Sequence, residues 1–129
     1  TSERVKVTSS RDFFEYLSSV WEQVDYCERF ILLCLDRANR ILGYNIISVG
    51  GIAGTVTDIK KIFQIALKTN SSAVIVAHNH PSGNLLPSNS DILLTKEIKK
   101  AGEFMKIRLL DHLIITSESY HSFADEGMI

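Results

Sequence analysis

His78-Asn79-His80-Pro81-Ser82-Gly83-Asn84-Leu85-Leu86-Pro87-Ser88-Asn89-Ser90-Asp91 sets two imidazoles two residues apart at the end of an apolar run. A loop rich in Pro, Gly, Ser and Asn follows, then a serine and, three residues on, a carboxylate. In extended chain, side chains i and i+2 point to the same side with Cα atoms roughly 7 Å apart, so two imidazoles placed this way reach one ion. Asp91 falls in the first turn of a predicted helix, from which its carboxylate swings back toward the strand end, where α/β folds hold their ligands. Gly83 and Pro87 let the loop turn back. Ser88 caps the helix and is placed to present its hydroxyl toward the site. Three protein ligands, His78, His80 and Asp91, with a fourth position open are the usual catalytic zinc arrangement rather than the closed structural one.

Each residue also has a plainer role. Ser88-Asn89-Ser90-Asp91 spells a capping box, with Asp91 bonding back to the Ser88 amide. His78 alone reads as a hydrogen-bonded interior histidine. Neither role explains why all three ligand types occur together, and their combination favours the metal.

Outward from this stretch, the chain reads as one α/β domain, a mixed sheet flanked by about three helices. Ser9 or Ser10 caps a predicted helix over Ser10 to Val24, with Phe13, Phe14, Leu17, Val20, Trp21 and Val24 at helical spacing. Phe30 to Leu35 is a short continuous apolar run and predicts a buried strand. The polar turn Asp36 to Arg40 leads to a return strand over Ile41 to Val49, closed by Gly50-Gly51. Thr57-Asp58 opens a second helix with Ile59, Ile62, Phe63, Ile65, Ala66 and Leu67 on its apolar positions. Ser72 to Ala77 predicts another buried strand, ending at the histidines. Ser88 to Ala101 predicts a third helix stopped by Gly102. Ile107 to Thr116 predicts a strand interrupted by Asp111-His112, and Tyr120 to Phe123 a short last one. Gly51-Ile52-Ala53-Gly54 reads as a turn, or as the wall of a substrate groove.

The spacing His78-x-His80, seven residues, Ser88, two residues, Asp91 resembles the zinc signature of the JAMM (JAB1/MPN) metalloprotease superfamily. The fuller string, His-Asn-His-Pro-Ser-Gly and then Pro-Ser-x-x-Asp, is similar to its RadC branch. Asp111-His112-Leu113-Ile114 resembles the family's Asp-His-Leu-Ile segment, and Tyr120-His121-Ser122-Phe123 its closing Tyr-x-Ser-Phe. The resemblance covers about Phe30 to Phe123 and implies a JAMM (MPN, cytidine-deaminase-like) fold. It also implies Zn2+ as cofactor, a protein or peptide as substrate, and hydrolysis of a peptide or isopeptide bond. Longer members carry an N-terminal helix-hairpin-helix segment; residues 1–129 are read as the single JAMM-like domain without it.

In that superfamily a glutamate on an earlier strand holds the attacking water and moves its proton. Laying the RadC pattern on Asp36, Asn39 to Leu42 and Gly50 puts Asn45 at that position. Asn neither takes nor gives a proton at neutral pH, though it can hydrogen-bond a water. The other carboxylates have plainer roles: Glu28 is a solvated charge, Asp36 a turn residue and Asp58 a cap. Asp111-His112 reads either as a satisfied structural pair or as an outer partner orienting a ligand imidazole. His121 is expected at the surface or in a loop. Ser88 is expected to donate to a developing oxyanion. The resemblance therefore leaves two function classes open, a zinc hydrolase and a binding module that has lost catalysis.

Composition narrows the rest. Among 129 residues, 45% are apolar and 22% charged, ordinary for a globular domain with a real core. A net charge of -1 does not call for nucleic-acid binding, although the RadC name suggests DNA repair. No apolar run approaches the roughly 20 residues of a membrane helix, and the N-terminus lacks a signal-peptide pattern. Cys27 and Cys34 are expected on opposite faces of one strand, more than about 20 Å apart, as unpaired thiols in a reducing cytoplasm. Zinc deaminase chemistry fits poorly, as it needs His-x-Glu and a later Pro-Cys-x-x-Cys.

Overall fold

The computed structural model describes residues 4–50 and 58–129. Thr57 and the Gly51-to-Gly54 segment lie outside the described residues. Helix α1 (Ser10–Val20) leads to strands β1 (Arg29–Leu35) and β2 (Ile41–Val49). Then come helix α2 (Ile59–Lys68), strand β3 (Ala73–Asn79), helix α3 (Asn89–Met105) and strands β4 (Arg108–Ile115) and β5 (Tyr120–Ser122). The strands form one mixed sheet in the order β2-β1-β3-β4-β5. Only β3 and β4 are parallel, with α3 between them in sequence; the other neighbours are antiparallel.

The central strands are apolar along most of their length because both of their faces are covered. On one side Phe13, Leu17 and Trp21 pack against Ile31, Leu33, Ile75, Ala77 and Leu113. On the other, Ile62, Phe63, Ala66 and Ile98 from α2 and α3 pack against Leu32, Cys34, Val74 and Val76. No helix among the described residues is long and apolar enough to cross a membrane.

The architecture agrees with the α/β expectation, and four local details differ. Helix α1 stops at Val20 instead of Val24, since Trp21 is already extended (φ -81, ψ 123) and Gln23 is left-handed. Trp21 and Val24 keep up the apolar spacing because they pack on the same core from non-helical chain. Cys27 precedes β1, so the two free cysteines do not share a strand. Strand β4 is unbroken, with Asp111 and His112 both buried inside it.

The fourth difference is Gly102, which lies within α3 rather than ending it. The helix runs on to Met105, and Lys106 takes the left-handed capping conformation (φ 59). The chain then folds back so that Ile107 N–H bonds the Gly102 carbonyl at 2.9 Å. Here a Cβ would collide with the Ile107 carbonyl oxygen, so the position needs glycine for close approach, not for termination. Gly102→Ala is expected to destabilise the domain in urea unfolding, because about 1–3 kcal/mol of overpacking exceeds the gain of about 1 kcal/mol in helix propensity. A variant as stable as wild type would show that the return turn yields.

Candidate metal centre

Strand β3 extends through His78 and Asn79, and His80 follows it directly at the start of the loop. The pleat sends His78 and Asn79 to opposite faces. Asn79 is fully buried and clamps the chain ahead of β1, accepting from Arg29 N–H at 2.7 Å and donating to the Val24 and Cys27 carbonyls at 2.8 Å. That clamp holds the strand end rigid while His78 faces the α2/α3 side.

The Nε2 atoms of His78 and His80 stand 3.1 Å apart. Asp91 Oδ1 lies 3.4 Å from His78 Nε2, and Oδ2 lies 3.9 Å from His80 Nε2. One ligand atom from each of the three residues falls within 4.8 Å of the others, as a shared metal ion requires. His80 is held from behind, its Nδ1 lying 2.6 Å from the Asn84 carbonyl. A carbonyl only accepts, so a proton lies on His80 Nδ1 and Nε2 is the ring atom aimed at the site. An imidazole nitrogen and a carboxylate aimed at one point suit a cation between them. The site lies at the carboxyl end of the parallel pair, and its His80 and Asp91 side chains remain 19% and 17% exposed, so the position is reachable from solvent.

The capping box leaves Asp91 able to serve as a ligand as well. Ser88 Oγ accepts from Asp91 N–H at 3.0 Å, and Asp91 Oδ2 accepts from Ser88 N–H at 2.8 Å. The cap therefore fixes the carboxylate, leaving Oδ1 toward His78. Burial alone would push the Asp91 carboxyl up. The hydrogen bond and charge of His78, together with the Ser88 amide and hydroxyl, outweigh it and hold the group well below the usual carboxylate range. Asp91 thus stays ionised, as a metal ligand must.

Asp111 and His112 do different work on opposite faces of β4. Asp111 accepts from the Ser122 hydroxyl at 2.5 Å, Ala124 N–H at 3.0 Å and His112 N–H at 2.7 Å, docking the C-terminal turn. His112 instead faces the site, its Nε2 2.8 Å from His78 Nδ1. A bulge decides this: Val74 pairs with Leu109 and Ile75 with Asp111, so Leu110 is an extra residue. Because pleat parity reverses across one inserted residue, His112 lands on the face of Val76 and His78. Phe123 stacks on His112 with centroids 4.5 Å apart, and Phe30 lies parallel to His78 at 6.1 Å.

Asn45 is half-buried on β2, opposite Leu32, which in turn pairs with Val76. Paired residues share a face, so Asn45 is on the side of the sheet that carries His78. Asp36 and Asp58 are a turn residue and a helix cap, as the sequence suggests. His121 sits on β5 rather than in a loop, half-buried and edge-on to Phe123; its Nδ1 is enclosed. Three contributors escape sequence reasoning: Thr95, the Asn84 carbonyl and Phe30. Only Thr95 leaves a trace, as a lone hydroxyl at a buried position of α3.

The family described as the RadC-like JAB domain matches residues 7–128. A UPF0758 protein of Flavobacterium johnsoniae is 42% identical over 123 residues, which are 95% of this chain and 53% of that protein. One from Thermosynechococcus vestitus is 47% identical over 98 residues, 76% of this chain and 39% of its own length. Another, from Thermotoga maritima, is 37% identical over 124 residues, 95% of this chain and 54% of its own. The chain spans about half the length of the curated relatives it matches. With the family match running across His78, His80, Asp91 and the buried Asp111-His112 pair, the chain belongs to the RadC family of the JAB/MPN superfamily.

Proposed function

We propose that the domain holds a zinc ion on His78, His80 and Asp91 and is a hydrolase of the metallopeptidase kind, acting on a peptide or isopeptide bond. The convergence of two imidazole nitrogens and a carboxylate oxygen within 4.8 Å carries this reading. Two histidines and one carboxylate are the protein half of a known catalytic zinc set, with a remaining position for water or substrate. When bound there, zinc supplies a Lewis acid that polarises a carbonyl and eases proton loss from water.

The chain's own residues supply the rest. Asp91 is locked by its cap, and His80 by the Asn84 carbonyl. Ser88 Oγ accepts from the Asp91 amide and retains a proton to offer an oxyanion, a contribution worth about 3 kcal/mol where such donors have been removed. Asn45 stands where the family's glutamate is expected and orients a water without taking its proton. Turnover by the native chain is therefore slow.

Zinc-loaded wild type and Asn45→Glu, assayed on a broad panel of peptide and isopeptide substrates, test the reading. The carboxylate is expected to raise the rate about 100-fold or more, the usual scale of general acid–base catalysis. Zinc bound with no cleavage by either protein would sink the hydrolase.

Asn45 itself favours a second reading, a module that keeps the metal site for binding and has given up catalysis. In that case His78→Ala abolishes partner binding rather than only lowering the melting temperature. DNA repair is supported by the family's name alone. With a net charge of -1, no salt-dependent DNA binding near micromolar affinity is expected.

A further inference from the structure

The near-zero net charge hides a separation between the two sides of the sheet. Helices α2 and α3 pack on the side that carries His78. They expose Lys60, Lys61, Lys68, Lys96, Lys99 and Lys100, and Lys106 caps α3. Only one lysine of the chain, Lys6, lies elsewhere. Helix α1 covers the opposite side. There the signs reverse: from Asp12 to Glu28, α1 and the chain after it carry Glu15, Glu22 and Asp25 and no Lys or Arg.

The lysines of α2 and α3 are not neutralised locally. None forms an ion pair among the described residues. Glu97 and Lys100, and Lys99 and Glu103, nevertheless have the spacing of helix ion pairs. Lys61 instead donates to the Ile47 carbonyl at 3.2 Å. Lys96 and Lys100 stand about one turn apart and repel.

Apolar side chains stand among these charges. The inward line of α3 is Thr95, Ile98 and Gly102, with the Thr95 hydroxyl 2.6 Å from His112 Nδ1. The opposite, outward line carries Leu93, Lys100 and Phe104. Leu93 is 59% exposed and Phe104 83%, and about 16 Å of helix axis separates them.

Positive charge calls for an anionic partner, and the rest of the surface decides which. Nucleic-acid recognition favours Arg forks and an unbroken row of cations; on these helices every cation is Lys, and Glu97 and Glu103 stand among them. The same carboxylates repel an anionic lipid surface, and Lys100 interrupts the apolar line that would enter it. A protein segment meets all three features. Its carboxylates pair with the lysines, its apolar side chains cover Leu93 and Phe104, and its amides answer Glu97. We propose that the outward face of α3, with the lysines of α2 on the same side, docks an acidic protein segment bearing two apolar side chains roughly five extended residues apart. This face belongs to the metal-free chain and does not rest on the metal reading.

The probe is a fluorescein-labelled peptide of about twelve residues, with Leu and Phe roughly five positions apart and Asp or Glu elsewhere. Fluorescence anisotropy follows its titration with the full 129-residue chain at low salt. Wild type is expected to bind saturably, and salt at about 0.5 M to weaken binding several-fold. Lys96→Glu/Lys99→Glu/Lys100→Glu is expected to weaken it about 10-fold or more, and Phe104→Ala about 5-fold. Arg11→Glu, a charge reversal on the opposite side, is expected to leave it unchanged. A peptide with Gln at every acidic position is expected not to bind.

No saturable binding by wild type overturns the proposal, as does a folded triple variant that binds like wild type. A single-stranded DNA oligonucleotide, or vesicles containing phosphatidylserine, bound more tightly than the peptide and released by the triple substitution gives the face to that ligand and overturns it. Self-association of wild type at low salt, lost in the triple variant, gives it to a second copy with the same result. Should the triple variant not fold, Phe104→Ala decides, since it alters only an 83% exposed side chain: a loss of affinity supports the docking face, and wild-type affinity overturns it.

Discussion

His78→Ala is expected to remain folded and to retain less than about a tenth of the wild-type zinc after dialysis, because losing a ligand exceeds the about 10- to 100-fold cost of losing an outer partner. The ring sits between Asp91, His80 and His112 and is nearly buried. Its removal also leaves a cavity beside Phe30 and takes away the ring nitrogen that His112 Nε2 bonds. Thermal or urea unfolding should therefore show a loss of about 2–4 kcal/mol. His80→Ala separates the two effects. That ring is more exposed and its Nδ1 bonds only a loop carbonyl, so zinc is lost with a smaller stability cost. Metal analysis checks the first part, and a His78→Ala protein that keeps a full equivalent of zinc removes the site from this position.

The largest stability effect is expected at Asp111, on the opposite face of the strand that carries His112. Asp111→Ala strips the acceptor from a hydroxyl and two backbone N–H groups in a buried setting, at about 3 kcal/mol or more. It also frees the turn that seats Phe123 against His112. Asp111→Asn keeps one acceptor oxygen and should lose much less. Burial raises the Asp111 carboxyl above its ordinary 3.8, against the pull of the Ser122 hydroxyl and the Ala124 and His112 amides. The folded chain thus holds this proton to higher pH than the unfolded chain. Asp111 contributes most below the unfolded value, and stability falls as pH rises from about 4 through the folded value. The stability advantage of wild type over Asp111→Asn should shrink across that window in pH-dependent urea unfolding. An advantage that grew with pH would mean that the folded carboxyl is held ionised instead.

These two residues show how unevenly the molecule can be read from its chain. The helices and strands were legible because their signals are local: a Ser9 cap, apolar spacing of 3.6 in α2, continuous apolar runs in β1 and β3. Gly102 misled because glycine commonly ends helices, whereas here a distant carbonyl demands the missing side chain. Trp21 and Val24 misled because core packing does not require that the chain beneath be helical.

The sequence by itself determined the candidate ligands and how they lie along the chain. His78 and His80 share a side through strand periodicity, and Ser88 fixes Asp91 through a four-residue cap, so each depends on neighbours in sequence. Only the tertiary structure decided what stands behind those ligands. His112 reaches His78 because β4 lies parallel to β3 with one extra residue at Leu110, and that register comes from packing across the sheet. Thr95 joins because α3 covers the same face. A bulge and a crossover reverse which side chains meet, and no local rule of spacing contains that information.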